Sequence, residues 1–265
     1  GCYSSFDSVC ADIVQNSILS GSIYELDSGG DPSVIPELTY EQYLDFYKEH
    51  YRPDNCLVFL YGNIPTEKQL DFFQIDFLDK IEQRKNFYPV QKITPLQKIK
   101  NSKPKEFSKI TYVRKYAPSV LTPSKDEDPT VIVSWRLSES VDVEKYLEAG
   151  LVSEILTEHD GSPITKALLD SGLGTEIAGS AGFDSTTKFL YTSFGLNGVK
   201  KKNVDKVYDL IVSEIQNVID NGVKQDDIDC ALMDLEFSIK EIVRHSGPFS
   251  LVLMRRVLKS WIYGA

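Results

Sequence analysis

The strand-forming runs of this chain come in pairs and its helical patterns follow in pairs. That order decides between the main ways of layering helices on a sheet. SKITYVRKYA (108–117) and PTVIVSWRLS (129–138) are rich in β-branched and aromatic residues, which predicts two strands. A helical segment over about 142–158 and a short helix in PITKALLDSG come next. Two further strand candidates follow, TEIAGSAGF (175–183) and KFLYTSFGLNG (188–198). A long amphipathic helix over 201–221 and a final helical region over 225–262, interrupted at His245-Ser246-Gly247-Pro248, close the chain. Strict strand–helix alternation would build a parallel sheet. Paired strands followed by paired helices predict an α+β structure, antiparallel sheets with helices packed on one face.

The earlier part reads in the same terms. Phe6, Val9, Cys10, Ile13, Val14 and Ile18 recur at helical spacing, with Gly21 beyond them as a C-terminal cap. YELDSGGDPSVIPELT (24–39) is dense in Gly, Pro and Asp and predicts a loop. Its SGGDP (28–32) reads as a turn needing φ > 0, or as backbone that approaches a peptide or a neighbouring element closely. Thr39 followed by Gln42 is a capping-box pattern opening a helix that stops before Pro53. CLVFLYGN (56–63) predicts a strand and TEKQLDFFQIDFLDKIEQR (66–84) an amphipathic helix. Residues 84–109 hold eight Lys/Arg against one Glu, with three prolines and no helical periodicity. A solvated connector explains this better than a nucleic-acid patch in an acidic chain. The expected domain boundary lies inside this connector, and 265 residues give room for one large or two modest domains.

Composition excludes some functions. A formal charge of −10 argues against general affinity for nucleic acid or anionic membrane, and no apolar run approaches the roughly 18 residues of a membrane span. Cys2, Cys10, Cys56 and Cys230 include no C-x-x-C pair. That predicts reduced thiols and a reducing compartment, cytoplasm or organelle matrix, with a Cys2–Cys10 disulfide as the alternative.

Two stretches raise the question of zinc. An H-x-x-E-H run on a helix would place two imidazoles on one face beside a glutamate, a peptidase zinc site of the inverted type. FYKEHY (46–51) has Glu49 and His50 but Phe46 in the first position, and ILTEH has Glu158 and His159 but Ile155. Neither Phe nor Ile can ligate a metal. Both are therefore read as polar helix ends, and His50, His159 and His245 as unrelated. There is no G-x-S-x-G elbow or phosphate-binding G-x-x-x-x-G-K-[ST] loop. SGLGTEI lacks the third glycine of a dinucleotide fingerprint. SPITKALLDSGLGTE (162–176) reads as a structural corner, with Ser162 capping a helix whose first turn holds Pro163.

Taken together, YELDSGGDPSVIPELTYEQYLDFYKEHYRPDNCLVFLYGN (24–63), SPITKALLDSGLGTEIAGSAGF, the YTSFGLNG strand and HSGPFSL resemble the pitrilysin/insulinase-type zinc metallopeptidases, specifically the presequence-protease branch. The resemblance covers essentially the whole chain. It implies an architecture of four related α+β domains in two halves around a chamber that holds unfolded peptides. Residues 1–95 would be the C-terminal part of the first, zinc-bearing domain, and residues 107–265 most of the second, non-catalytic one. It also implies that the zinc ligands, an upstream H-x-x-E-H pair and a later glutamate, lie before Gly1. On that basis no catalytic or metal residue is assigned here, no zinc is expected on this segment, and no substrate-binding residue is named. The expected partners are peptide substrates of the intact parent and its remaining domains, not nucleic acid or membrane. The alternative is a non-catalytic scaffold of the same superfamily. The abrupt start at Gly1 and the abrupt end after SWIYGA add the expectation of an internal piece of a longer protein.

Overall fold

The computed structural model describes residues 2–82, 95–118, 129–241 and 247–263. The chain forms two compact units, Gly1–Leu26 with Lys103–Ile242 and Asp27–Ser102 with Val243–Gly264.

The first unit is built on a four-stranded antiparallel sheet of β1 (Val131–Glu139), β2 (Glu176–Ile177), β3 (Gly182–Asp184) and β4 (Phe189–Asn197). β4 is central and pairs with all three others. Pairing of Val133 with Phe194 and of Val131 with Leu196 sends these four side chains to one face. There they meet helices α7 (Pro163–Asp170) and α8 (Val204–Asn221) in a core of Ile164, Leu168, Phe194, Leu196, Val207 and Ile211. Ile132 and Tyr191 point to the other face. They meet Val14, Ile18 and Leu19 at the end of α1 (Phe6–Ile18), so α1 adds a layer opposite α7 and α8. The 10/14/18 spacing of buried residues on α1 accounts for that contact. Helix α6 (Val143–Thr157), capped by the Asp142 carboxylate, lies between β1 and α9 (Gln225–Lys240).

The second unit holds α2 (Tyr40–His50), α3 (Thr66–Phe72), α4 (Asp79–Glu82), α5 (Pro95–Asn101) and α10 (Phe249–Tyr263), with α5 against α10. Thr39 and Gln42 form the expected reciprocal cap: Gln42 N–H donates to Thr39 Oγ1 at 3.2 Å and Thr39 N–H to Gln42 Oε1 at 2.8 Å. Replacing Thr39 by Ala should cost about 1 kcal/mol of stability, measurable by urea denaturation. In the loop before it, Gly30 has φ +79°, which explains one glycine of SGGDP as a turn residue.

Several sequence expectations are corrected. The predicted strands at 56–63 and 108–117 pair with nothing among the described residues. A β-prone run becomes a strand only when a neighbour accepts its backbone hydrogen bonds. The single strand expected over 175–183 is split into β2 and β3 by a turn in which Ala181 N–H donates to Ala178 O at 2.9 Å. The helix expected over 66–84 widens to π-helix at Phe73–Leu78 between α3 and α4. Within the basic stretch, 95–101 is helical, opened by Pro95 and carrying Lys98 and Lys100 in its last turn, both favourable positions. The remainder of that connector over 84–94 and the expected break at His245 lie outside the described residues.

Candidate functional site

His50 is the last residue of α2. Its ring stacks on Phe46, with centroids 4.0 Å apart, and its Nδ1 lies 3.0 Å from Phe46 O. Phe46 thus serves His50 as a stacking surface one turn back, in the position where a zinc site needs a second imidazole. Glu49 is engaged elsewhere: Lys98 Nζ lies 2.5 Å from its carboxylate. That hydrogen bond holds the Glu49 carboxyl below the usual carboxylate range. The pair is exposed, so truncating Lys98 should cost less than about 1 kcal/mol.

The second near-miss is a helix-ending turn. α6 stops at Thr157, His159 N–H donates to Ser162 Oγ at 3.1 Å, and Ser162 N–H donates to His159 O at 2.9 Å. Ser162 stands at the N-cap of α7 as expected, but its hydroxyl serves His159 instead of the first turn of α7. Ile155, where a first ligand would stand, is a buried core residue. Nearby, burial pushes the Glu154 carboxyl up, with Asp234 and Glu158 adding to the shift and His159 opposing it. A raised folded-state pKa means that stability is full below the unfolded value and is lost as pH rises through the folded one. Glu154→Gln should therefore raise Tm at pH 7 and leave it unchanged near pH 4, by calorimetry at both values.

These residues do not fit zinc. The first-ligand positions, Phe46 and Ile155, carry no side-chain donor atom. Among the described residues no group of three or more His, Cys, Asp or Glu side chains could hold a metal ion. His50 and His159 belong to different units, and His245 lies outside the described residues. Cys10, Cys56 and Cys230 are free thiols, Cys10 buried and the other two exposed.

Two surface features do stand out. A groove of about 330 Å³ runs between α6 and the sheet, lined by Leu137, Val152, Leu156 and Phe194. The buried Ser153 hydroxyl beside it makes no hydrogen bond. The groove depends on the spacing of α6 from the sheet, which no local pattern reveals. The other feature is an apolar surface on 34–78, and its signal was in the sequence: Tyr40, Tyr43, Tyr47 and Tyr51 follow spacings of three and four, hence one helix face. Tyr40 stacks with Tyr43 and Tyr47 with Tyr51, and all four are exposed.

No described helix is long and apolar enough to cross a membrane. The chain is 32% identical over 265 residues to a mitochondrial presequence protease from Xenopus tropicalis, covering 98% of this chain and 24% of that protein. It is 29% identical to Protein HypA of Clostridium perfringens, covering 99% of this chain and 26% of that protein. It thus spans about a quarter of the length of these relatives. A solved peptidase M16 inactive domain from Pseudomonas fluorescens shares the fold, with a TM-score of 0.59 at 14% identity over 98% of this chain and 56% of that one. Residues 37–235 match the family model described as the peptidase M16 inactive domain, and the chain belongs to that family.

Proposed function

We propose that this chain is the chamber-wall and packing segment of a larger zinc metalloendopeptidase that degrades short unstructured or targeting peptides. In the intact parent, metal-activated water would attack the scissile carbonyl; the residues described here take no part in that step. Residues 1–95 complete the zinc-bearing first domain, 96–106 link, and 107–265 form most of the second, non-catalytic domain. The parent works in a reducing compartment, cytoplasm or organelle matrix. The observation that carries this reading is the pairing of two facts. The chain matches presequence proteases over its whole length, and Phe46 and Ile155 replace the first ligand in its two motif-like stretches.

The test is zinc content and peptidase turnover, measured side by side on the intact parent and on the 265-residue chain, both purified without chelators. The expected result is about one zinc and chelator-sensitive cleavage in the parent, with neither in the chain alone. Zinc near one per chain, lost on substituting His50 or His159, would overturn the assignment. A parent without zinc and without turnover would leave the non-catalytic scaffold, which the inactive-domain match also accommodates.

A further inference from the structure

From Lys103 to Tyr116 the chain has neither helix nor ladder partner among the described residues, and every side chain from Lys105 to Tyr116 is exposed. Such a stretch frays unless specific contacts fix it. Over its first residues they do. Pro104 is buried, and Lys105 N–H donates to Ser20 O at 2.7 Å, just past the end of α1. Beside it Gly21 has φ +85°, and a Cβ there would stand 2.8 Å from Lys105 Cγ, so the close approach uses the missing side chain. Arg136 reaches the same residues from the sheet. It shares the face of β1 that Ile132 turns toward α1. Its Nη1 donates to Lys105 O at 2.8 Å and its Nη2 to the Glu106 carboxylate at 2.9 Å, while its guanidinium lies 5.5 Å from the centre of the Phe107 ring.

Two opposing facts set the balance of this contact. The Arg136 side chain is 12% exposed, and both of its hydrogen-bond acceptors among the described residues lie on this stretch. A charge so withdrawn from water loses free energy when its acceptors leave, which favours the closed arrangement. Past Pro104, however, no buried side chain holds the stretch down, and without Arg136 the Lys105–Ser20 backbone bond is left to do so. We propose that residues 103–107 are a strap that opens and closes as a unit over the end of α1, with Arg136 as its latch. Closed, the strap withholds the Lys105–Glu106 backbone from any enzyme that needs free, extended chain; open, it offers it. This holds whatever chemistry the parent performs.

Residue-resolved amide hydrogen exchange on the 265-residue chain tests the latch. In Arg136→Gln the Lys105 amide should exchange at least about tenfold faster, as the strap moves to the fraying end of the stability scale. Glu106→Gln keeps the bond to Lys105 O and should give a smaller rise, about threefold. Glu106 is 91% exposed, so this second variant folds even if Arg136→Gln does not. Cleavage after residue 106 by a glutamate-specific endopeptidase should quicken in Arg136→Gln in step with exchange, because proteolysis follows the open population. An unchanged Lys105 amide in Glu106→Gln would overturn the proposal. So would cleavage that stays constant while exchange rises. Equal acceleration of the β4 amides would also overturn it, since Arg136 would then be supporting the sheet and not latching the strap.

Discussion

Replacing Phe194 with alanine is expected to destabilise the chain by about 3–5 kcal/mol, close to the upper end of what a buried side chain can cost. Phe194 is 3% exposed and sits where the sheet meets α7 and α8. Its ring lies 5.7 Å from that of Trp135, its diagonal neighbour on β1. Truncation removes the apolar burial and leaves a void between elements that cannot all close at once. Domains of this size are stable by only about 5–15 kcal/mol, so the loss is a large share of the total. Thermal unfolding should show Tm lowered by roughly 6–20 °C, and the emission of Trp135 should shift as its neighbour disappears. A loss below about 1 kcal/mol would mean that the helices do not pack on this face as described.

Gly195→Ala should be almost as damaging, for a reason unrelated to apolar area. A Cβ at 195 would stand 2.2 Å from Val131 O and 2.9 Å from Ile132 Cα. Both are backbone atoms, so no rotamer change can relieve the contact; β1 and β4 must move apart. Such overpacking costs typically 1–3 kcal/mol, and this case belongs at the top of that range. The neighbour at 193 supplies the comparison. Ser193 is 1% exposed and its hydroxyl lies 2.7 Å from that of Ser134, so Ser193→Ala should lose only about 1 kcal/mol. Urea denaturation of both variants, with hydrogen exchange on the β1 amides, separates the two. Faster exchange confined to Gly195→Ala marks strand separation.

Much of the fold was legible because its signals are local. The Thr39–Gln42 capping box and the 10/14/18 stripe of α1 each name a neighbour within a turn or two that is there, and the aromatic-rich run of 188–198 forms β4. The runs 56–61 and 108–117 carry equally strong β signals and form no ladder among the described residues. The difference is that pairing belongs to two segments, and a pattern in one of them cannot supply the other. The same limit governs the site. That Phe46 and Ile155 cannot ligate a metal follows from their chemistry. That Lys98 holds Glu49, or that Ser162 turns toward His159 and leaves the first turn of α7, follows only from three-dimensional placement.

The distribution of thiols gives the chain a chemical reporter of its own. Cys56 opens the apolar run in one unit, Cys230 lies on α9 in the other, and both are exposed, while Cys10 is buried on α1. An alkylating reagent should reach Cys56 and Cys230 and be slow at Cys10, where burial and the nearby Asp7 disfavour the thiolate. With Cys2 replaced by serine, the ratio of labelling at 56 to labelling at 230 reports a change of exposure in one unit against the other. Cover over the run lowers the numerator, while the denominator corrects for reagent and protein concentration. Mass spectrometry of the modified peptides can then follow the exposure of that run in a crude mixture.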